Sequence, residues 1–328
     1  MANVQEAFLH GQLLERRQRL EAALASPRRN ESLQQLLIEV DSALERIEAG
    51  TFGICETCHE TIEKDRLITD PLVRYCLDHL TASQRRALEE DLELASQLQR
   101  GLLPRQNLAF AGWEVCYHYQ PLGLVSGDYC DVVTHENELE GVFFALGDVS
   151  GKGVTASMLM SQLHAIFRTL VASGLTLQGL VERASRVFCQ STISSLFATL
   201  VLVRAGQSGE IEVCNAGHCP ALLLQGGKVT ELGPTGVPLG LFCEGVYPTQ
   251  YAEMACGDTL LLYTDGVSEA RSANEAEYGA ERLKKLVASS PGLSAQALVA
   301  ACIDDLDEFR AGVPLLDDLT LMAIRRVA

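Results

Sequence analysis

Apolar residues follow two different patterns along the chain. In the N-terminal part they recur three or four positions apart, which is the spacing of one face of a helix. One series consists of Leu33, Leu37, Val40, Leu44 and Ile47, and an earlier one of Leu9, Leu13, Leu20 and Leu24. The sequence SPRRN at 26–30 separates the two series, with Pro27 ending one helix and Asn30 available to cap the next. The pattern predicts a short antiparallel helical hairpin.

Residues 84–103 predict one further helix. Their sequence, QRRALEEDLELASQLQRGLL, contains strong helix formers and no breaker before Gly101, and Pro104 ends the segment. The apolar stripe of this helix consists of Leu88, Leu92, Ala95, Leu98 and Leu102. A stripe indicates burial but not the partner. Two interpretations follow: packing on the following domain, or a dimer seam that transmits a signal to that domain.

Beyond Pro104 the pattern changes to short apolar runs separated by turns. Strands are predicted at 113–120, 141–146, 196–205, 209–217, 220–225, 258–265 and 318–326, and helices near 154–173, 176–190, 275–289 and 294–309. Strands and helices occur in blocks rather than in strict alternation, which favours antiparallel sheets covered by helices over a doubly wound parallel sheet. The expected fold class is α+β.

Composition and charge narrow the function classes. The chain has 328 residues, 47% of them hydrophobic, and a net charge of −17. This charge argues against broad binding to nucleic acid or to an anionic membrane. No apolar stretch approaches the roughly 18 residues that span a bilayer, and MANVQEAFLHGQ lacks a secretory pattern. The eleven cysteines suit a reducing cytoplasm, where Cys189, Cys214 and Cys302 are expected to be small buried hydrophobes.

Two pairs of metal-ligand residues follow the predicted hairpin. Cys55 and Cys58 form C-x2-C, and after seventeen residues Cys76 and His79 form C-x2-H. Two such pairs can supply four ligands to one tetrahedral Zn²⁺, which closes its coordination shell and makes the ion structural. The alternative is a chance spacing in a cysteine-rich chain.

This stretch resembles the zinc-finger module of the TraR/DksA family, through ALERIEAGTFGICETCHETIEKDRL and YCLDHL. His79 stands where that family usually has a fourth cysteine. Members of the family insert a helical hairpin with an acidic tip into RNA polymerase, whereas the tip here, SPRRN, is basic. We therefore expect a sensor, docking or dimerisation unit. The alternative function is a transcription regulator that binds RNA polymerase through this hairpin.

The segment ALGDVSGKGV at 145–154 looks at first like a phosphate-binding loop of nucleotide-binding proteins. That loop needs four residues between its first glycine and the Gly-Lys pair, followed by Ser or Thr. Here three residues separate Gly147 from Gly151, and Gly153 follows Lys152. The segment lacks the hydroxyl that would contact the nucleotide's magnesium. What remains is Asp148, a carboxylate at the end of a predicted strand.

Aspartates recur where predicted strands meet turns. They are Asp128 in SGDYCD, Asp148, Asp265 in LLYTDGV, and the pair Asp317 and Asp318 in PLLDDLT. A single aspartate at such a position is usually a turn or cap residue, but four corners of the same kind indicate a common function. Converging carboxylates repel one another unless cations neutralise them. All-oxygen ligation suits Mg²⁺ or Mn²⁺.

These fragments resemble the metal-dependent protein phosphatase (PPM) family, and within it the SpoIIE/RsbU-like branch. The match runs in order from LEEDLELASQLQRGLLP through SGDYCD, GDVSGKG, NAGHCPALLL, GVPLGL, YTDGVSEA and LDDLTL, and so covers nearly everything after residue 88. Each fragment alone is weak, but the ordered set is specific. The resemblance implies an αββα sandwich with two Mn²⁺ or Mg²⁺ ions bound between its sheets.

The resemblance also implies roles for individual residues. Asp148 is the carboxylate shared by both metals, and the backbone carbonyl of Val149 helps to hold the first. The ligands that complete the second are Asp128, Asp265 and Asp317. Asp317 is preferred to Asp318 as the ligand, and Asp131 is expected beside the ligands rather than among them. The ions activate a water molecule that attacks the phosphorus of a phosphoserine or phosphothreonine.

The resemblance implies a substrate as well, namely a phosphorylated anti-anti-sigma protein (a STAS domain) in a partner-switching pathway. We expect a cytoplasmic protein-serine/threonine phosphatase with one structural Zn²⁺, and a homodimer through the 84–103 helix is considered. RNA polymerase, nucleic acid and membrane are not expected as partners. The predicted organisation is a hairpin with zinc finger at 1–82, a linker helix at 83–104 and a phosphatase domain at 105–328.

Overall fold

The computed structural model describes residues 2–24, 31–63, 66–67, 70–79, 82–134, 141–192 and 196–328. The predicted hairpin tip, SPRRN, lies outside these residues. The chain divides into two compact units, Met1–Asp91 and Leu92–Ala328. The domain boundaries at 82 and 104 stay a prediction. No helix in the described part of the chain is both long enough and apolar enough to cross a membrane.

The smaller unit contains two packed helices. Helix α1 spans Ala2–Leu24 and helix α2 spans Glu31–Glu48. Their shared core contains both predicted apolar series and consists of Leu13, Leu20, Val40, Ala43 and Leu44. Arg17 and Asp41 link the helices at 2.9 Å. The N-terminal helices are thus confirmed, and a 3-10 turn spans Leu77–His79.

Helix α3 spans Ala82–Leu102 and corresponds to the predicted 84–103 helix. Its apolar stripe is only partly buried, because Leu88 is 42% exposed and Leu98 is 67% exposed. The buried positions are instead the polar residues Ser96 and Gln99. The fully buried face of this helix is therefore polar, and both interpretations of its apolar stripe stay predictions.

The larger unit is built on two antiparallel sheets. The strands are β1 Leu108–Phe110, β2 Trp113–Gln120, β3 Asp128–Thr134, β4 Val142–Val149, β5 Ala198–Ala205, β6 Glu210–Ala216, β7 Ala221–Gln225, β8 Lys228–Leu232, β9 Gln250–Glu253, β10 Thr259–Tyr263 and β11 Leu319–Arg326. One sheet has six strands in the order β1-β2-β11-β10-β7-β8, and the other has five in the order β3-β4-β5-β6-β9. The recorded pairings between named strands are all antiparallel, as predicted.

Helices cover both outer faces of the sheets. The helices are α4 Gly153–Val171, α5 Leu177–Ser191, α6 Asp265–Ser268, α7 Ala280–Ala288 and α8 Ala295–Arg310. Helices α4 and α5 share a core with the five-stranded sheet, and α7 and α8 share one with the six-stranded sheet. A third core, which includes Trp113, Phe144 and Leu262, joins the inner faces of the two sheets. This arrangement confirms the α+β fold class and the αββα sandwich.

One cysteine prediction is wrong. Cys214 and Cys302 are buried hydrophobes as expected. Cys189, at the end of α5, instead forms a disulfide with Cys243 in the loop between β8 and β9, with their Cα atoms 5.4 Å apart. Spacing along the chain gives no indication of this pair, because 54 residues separate its members.

Candidate active site and candidate zinc site

Four predicted zinc ligands meet in the smaller unit. The ligand atoms of Cys55, Cys58, Cys76 and His79 all lie within 4.8 Å of one another. Cys58 Sγ is 3.8 Å from Cys76 Sγ, and Cys76 Sγ is 3.1 Å from His79 Nδ1. A tetrahedral zinc with metal–sulfur bonds of about 2.3 Å places its sulfur atoms about 3.8 Å apart. The donor set and its spacing therefore fit Zn²⁺.

Two of the predicted acidic ligands face each other across neighbouring strands. Asp128 begins β3, Asp148 lies one residue before the end of β4, and the two are directly paired in the antiparallel register. Directly opposed residues in such a pair point to the same face of the sheet. Asp128 is almost fully buried, with 1% of its surface exposed.

The other two predicted ligands come from the six-stranded sheet. Asp265 begins α6, which follows β10, and Asp317 precedes β11. Strands β10 and β11 pair in antiparallel register, with Tyr263 opposite Leu321, so the end of one lies beside the start of the other. The topology thus brings two acidic corners together that are distant in sequence.

Two threonines connect the corners of the two sheets. Asp128 Oδ2 accepts a hydrogen bond from Thr264 Oγ1 at 3.1 Å and another from Thr320 Oγ1 at 2.5 Å. Thr264 precedes Asp265, and Thr320 follows the Asp317–Asp318 pair by two residues. Both threonines are fully buried. The buried carboxylate of the five-stranded sheet is therefore held by residues that flank the acids of the other sheet.

The acidic side chains raise one another's pKa values. Burial raises the pKa of Asp148 to about 7, and Asp265, Asp317 and Asp318 add to this effect. Burial raises the pKa of Asp265 as well, followed by the charge of Asp317. Burial and then Asp148 raise the pKa of Asp128 well above its usual value. Crowded, desolvated carboxyl groups behave in this way, and a bound divalent cation would reverse the effect.

The two neighbouring acids before β11 differ in what they contact. Asp318 accepts hydrogen bonds from the backbone amides of Leu122, at 2.7 Å, and Gly127, at 2.8 Å. Asp317 instead contacts Lys152 Nζ at 2.8 Å and is 41% exposed. Both oxygens of Asp318 are thus bound by amides of one loop, whereas Asp317 accepts one backbone hydrogen bond, from the Asp318 amide at 2.9 Å, and its other oxygen faces the exposed Lys152.

Gly127 leaves space beside the predicted ligands. A Cβ atom at this position would lie 3.1 Å from the carbonyl oxygen of Val149, 3.1 Å from Cβ of Ala156 and 3.6 Å from Oδ1 of Asp148. The Gly127 carbonyl also accepts a hydrogen bond from the Val149 amide at 3.3 Å. Only a glycine lets the backbone approach these oxygens so closely without displacing a neighbour.

The acidic group is looser than the zinc-type group. Among the described residues, the cysteine–histidine group is the one in which at least three ligand atoms of His, Cys, Asp or Glu lie within 4.8 Å of one another. Mutual repulsion accounts for the wider spacing of carboxylates. Asp131, expected near the ligands, turns away from them and pairs with Arg168 on α4 at 2.6 and 2.8 Å.

His218, predicted as a turn residue between two strands, lies between β6 and β7 and is buried. Its Nδ1 is 2.8 Å from Thr199 Oγ1, and its amide donates to Asn215 Oδ1 at 2.8 Å. Burial lowers the pKa of His218 to about 4. The side chain is therefore neutral near pH 7, and its contacts connect β5 with the β6–β7 turn.

Several residues beside the site were missed from the sequence alone. They are Gln99 of α3, Ser126, Thr264 and Thr320, whereas Lys152 was noticed in the sequence but given no role. The threonines stand next to acidic motifs, in TDG and DDLT, and this adjacency is a usable signal. The others depend on contacts between segments that lie far apart in sequence.

Comparison with known families agrees with this geometry. The family model described as Stage II sporulation protein E (SpoIIE) matches residues 139–327. The prokaryotic dksA/traR C4-type zinc finger matches residues 50–78. His79, which replaces the usual fourth cysteine, lies just beyond the second match.

Individual relatives support the same placement. RsbU, a phosphoserine phosphatase of Bacillus subtilis (strain 168), is 26% identical over 242 residues, covering 73% of this chain and 71% of RsbU. The SiaA-PP2C domain of Pseudomonas aeruginosa has 19% identity and a TM-score of 0.65, covering 75% of this chain and 99% of that domain. The RsbU and RsbW domains of Rv1364c from Mycobacterium tuberculosis have 28% identity and a TM-score of 0.54, covering 66% of this chain and 60% of that one.

The larger unit therefore has the fold of a PP2C-type phosphatase domain. The chain belongs to the SpoIIE family, whose model covers more than half of its length, and it is an enzyme of the protein-serine/threonine phosphatase class. A dksA/traR-type zinc finger precedes the phosphatase domain.

Proposed function

We propose that the chain is a metal-dependent phosphoserine/phosphothreonine phosphatase whose reaction takes place at the acidic cluster of the larger unit. The observation that carries the proposal is the meeting of Asp148 with Asp265 and Asp317 at one end of the two sheets. Burial raises the pKa of Asp148 to about 7, and the charges of Asp265 and Asp317 add to this effect. Crowded carboxylates in a partly buried cleft are unfavourable unless cations neutralise them.

The donor set fits two Mn²⁺ or Mg²⁺ ions. The proposed ligands are carboxylate oxygens and one backbone carbonyl, and hard divalent cations prefer such oxygens. They are Asp128, Asp148, Val149, Asp265 and Asp317. Gly127 keeps the Val149 carbonyl and the Asp148 carboxylate accessible to an ion, because a side chain there would approach both.

The contacts of the two adjacent acids favour Asp317 as the ligand. Asp318 already accepts two backbone hydrogen bonds. Asp317 accepts one backbone hydrogen bond, from the Asp318 amide to Oδ1, and its Oδ2 contacts Lys152, an exposed side chain that can move away. Lys152 also lies at the opening of the cluster, where its charge can attract the phosphate group of a substrate.

When bound, the ions would lower the pKa of a water molecule and offset charge on the phosphoryl oxygens. The chain itself positions the ligands from both sheets, and Thr264 and Thr320 hold Asp128 by its Oδ2 atom. The disulfide-bonded and buried cysteines are not required as nucleophiles in a reaction of this kind.

The proposed substrate is a phosphorylated STAS-type anti-anti-sigma protein, acted on in the cytoplasm. Support comes from the likeness to RsbU and to the paired RsbU and RsbW domains of Rv1364c. The smaller unit would carry one structural Zn²⁺. Binding to RNA polymerase is not proposed, because the hairpin tip on which it depends lies outside the described residues.

A homodimer through residues 84–103 is the proposed use of the open face of α3. Leu94 and Leu98 are 56% and 67% exposed on this helix, and the second belongs to the predicted stripe. Charged substitutions at Leu94 and Leu98 should change the oligomeric state measured by light scattering or the turnover. No change in either quantity would contradict this use of the helix.

The main proposal is tested with purified full-length protein, Mn²⁺ and a phosphorylated STAS protein, with phosphate release as the readout. Wild type should release phosphate, and Asp265→Asn should abolish release while circular dichroism stays unchanged. Asp304→Asn changes an exposed aspartate of α8 and should behave like wild type. Equal turnover in the Asp265→Asn and Asp304→Asn variants would refute the site.

A further inference from the structure

A buried glutamine on α3 contacts the loop that leads into the acidic site. Gln99 is 5% exposed, and its Nε2 donates to the carbonyl oxygen of Ser126 at 2.6 Å. The amide of Ser126 donates in turn to Gln99 Oε1 at 2.9 Å. Both groups of the side-chain amide thus pair with both backbone groups of one residue, as a neighbouring strand would pair with it. Burial of a primary amide is favourable only when such partners are present.

Ser126 connects this contact to a proposed metal ligand. Its own Oγ accepts a hydrogen bond from the Asp128 amide at 3.0 Å. Asp318 fixes the same loop (residues 121–127, between β2 and β3) from the other side, through the amides of Leu122 and Gly127. The start of β3 is therefore held between α3 and the segment before β11.

The buried face of α3 is polar, which is unusual for a helix that packs on a domain. A helix that only packs on a domain normally buries an apolar face. Here Ser96 and Gln99 are buried, whereas Leu94 and Leu98 on the same turns are exposed. A polar face directed at a single loop indicates recognition of that backbone rather than general packing.

We propose that Gln99 is a positioning residue for the phosphatase reaction: by pairing with the backbone of Ser126, it fixes the place at which Asp128 enters β3. The inference rests on the proposed role of Asp128 as a metal ligand. It gives α3 a direct part in setting the geometry of the acidic site. Partners that orient metal ligands in this way typically change metal affinity about 10- to 100-fold when they are removed.

The test compares Gln99→Met with Gln97→Met. The first variant keeps the length of the side chain and removes both hydrogen bonds, and the second changes an exposed glutamine two residues away on the same helix. Mn²⁺ affinity is measured by isothermal titration calorimetry, and exchange of the Ser126 and Asp128 amides by NMR. Gln99→Met should weaken Mn²⁺ binding about 10-fold and speed up hydrogen exchange at the amides of Ser126 and Asp128. At saturating Mn²⁺ this variant should recover most of its kcat. Gln97→Met should match wild type in all three.

A second variant keeps the inference testable if Gln99→Met does not fold. Ser126→Ala removes the acceptor of the Asp128 amide and should weaken Mn²⁺ binding by the same route. In the double variant the two effects should be less than multiplicative, because both act through one loop. Multiplied effects, or wild-type affinity and exchange in a folded Gln99→Met protein, would overturn the inference while leaving the phosphatase proposal intact. Failure of wild type to bind Mn²⁺ would overturn both.

Discussion

The two candidate metal sites of this chain are assembled in opposite ways. The zinc-type site takes all its ligands from residues 55–79, and their ligand atoms lie within 4.8 Å of one another. The acidic site takes its proposed ligands from residues 128–317, contributed by strand ends of two sheets. One site is local in sequence and tight, and the other depends on the whole fold and is loose.

The difference reflects the chemistry of the ligands. Neighbouring ligands of the zinc-type site share hydrogen bonds, as between Cys58 Sγ and Cys76 Sγ at 3.8 Å and between Cys76 Sγ and His79 Nδ1 at 3.1 Å, and so lie close together. Carboxylates repel, and here burial and the neighbouring Asp265 raise the pKa of Asp148 to about 7. A closed thiolate site suits a structural ion, whereas an open carboxylate site keeps room for water and a substrate. The substitutions below alter one of the two sites or the stability of the unit that carries the acidic site.

The largest effect is expected from Cys58→Ser, which removes one ligand of the zinc-type site. Structural zinc contributes about 10 to 16 kcal/mol of binding free energy in zinc-finger peptides, so its loss should unfold residues 51–63 and 70–79. Mass spectrometry should find no zinc, and hydrogen exchange should rise in these residues. Cys256→Ser, at an exposed cysteine, is the control. Full zinc content in the Cys58→Ser protein would contradict the assignment.

Asp148→Asn should have the next largest effect, confined to the acidic site. Loss of a shared ligand should lower kcat/KM more than about 100-fold, beyond the 10- to 100-fold typical of groups that only orient ligands. Without added metal the same variant should melt at a higher temperature, because it removes a charge that burial and Asp265 disfavour. Scanning calorimetry measures the melting temperature, and phosphate release measures kcat/KM. A variant that lost stability and kept its activity would indicate a structural aspartate.

Acid should weaken the larger unit through His218. Burial lowers the pKa of His218 to about 4, whereas an unfolded histidine titrates near 6.5. Between these values unfolded His218 binds more protons than folded His218, so its contribution to the free energy of unfolding falls as the pH drops from 6.5 to 4, by up to about 3 kcal/mol. The raised pKa values of Asp148 and Asp265 act in the opposite direction, so the contribution of His218 is obtained by comparison with a variant. Trp113, the single tryptophan, reports this unit in urea titrations at pH 6.5 and 4.5.

His218→Gln is the matched variant for this pH dependence. Glutamine cannot titrate in this range, so the difference in unfolding free energy between the two pH values should shrink. An equally steep pH dependence in wild type and His218→Gln would assign the acid sensitivity to other groups.

The smallest effects on stability are expected from Asp317→Asn and Asp318→Asn, and the comparison of these two variants shows which of the adjacent acids is the ligand. Asp318→Asn loses part of a carboxylate that accepts two backbone hydrogen bonds, which should cost about 1 to 2 kcal/mol of stability. Asp317→Asn breaks an exposed ion pair with Lys152, and its side-chain oxygen can still accept from the Asp318 amide. This variant should therefore keep nearly all of its stability while losing activity. Urea titration and phosphate release should therefore rank the two variants in opposite orders. The same order in both assays would make Asp318 the ligand.

Much of the fold could be predicted because the spacing of apolar residues along the chain indicates which face of a helix or strand is buried. The spacing of Leu33, Val40 and Leu44 predicts the buried face of α2, and the apolar runs at 113–120 and 318–326 coincide with β2 and β11. Periodicity failed where burial is polar, as at Gln99. It also placed the start of one helix at 275, whereas α7 begins at Ala280, since Gly279 has a positive φ of 77°.

The individual acidic residues of the site could be predicted because each lies in a short, recognisable motif. Each acidic corner carries its own signal, as Asp148 does in GDVSGKG. The bonds that hold those corners together cross between sheets, as from Thr320 to Asp128, and no local pattern reports them. The contrasting contacts of Asp317 and Asp318 likewise depend on which loop packs beside β11.

The most direct test of the acidic site is a calorimetric titration of zinc-loaded protein with Mn²⁺ near neutral pH. Wild type should bind two Mn²⁺ ions per chain, and Asp148→Asn should lose this binding while its zinc content stays unchanged. Equal Mn²⁺ binding by the two proteins would show that Asp148 does not hold the ions and would contradict the account.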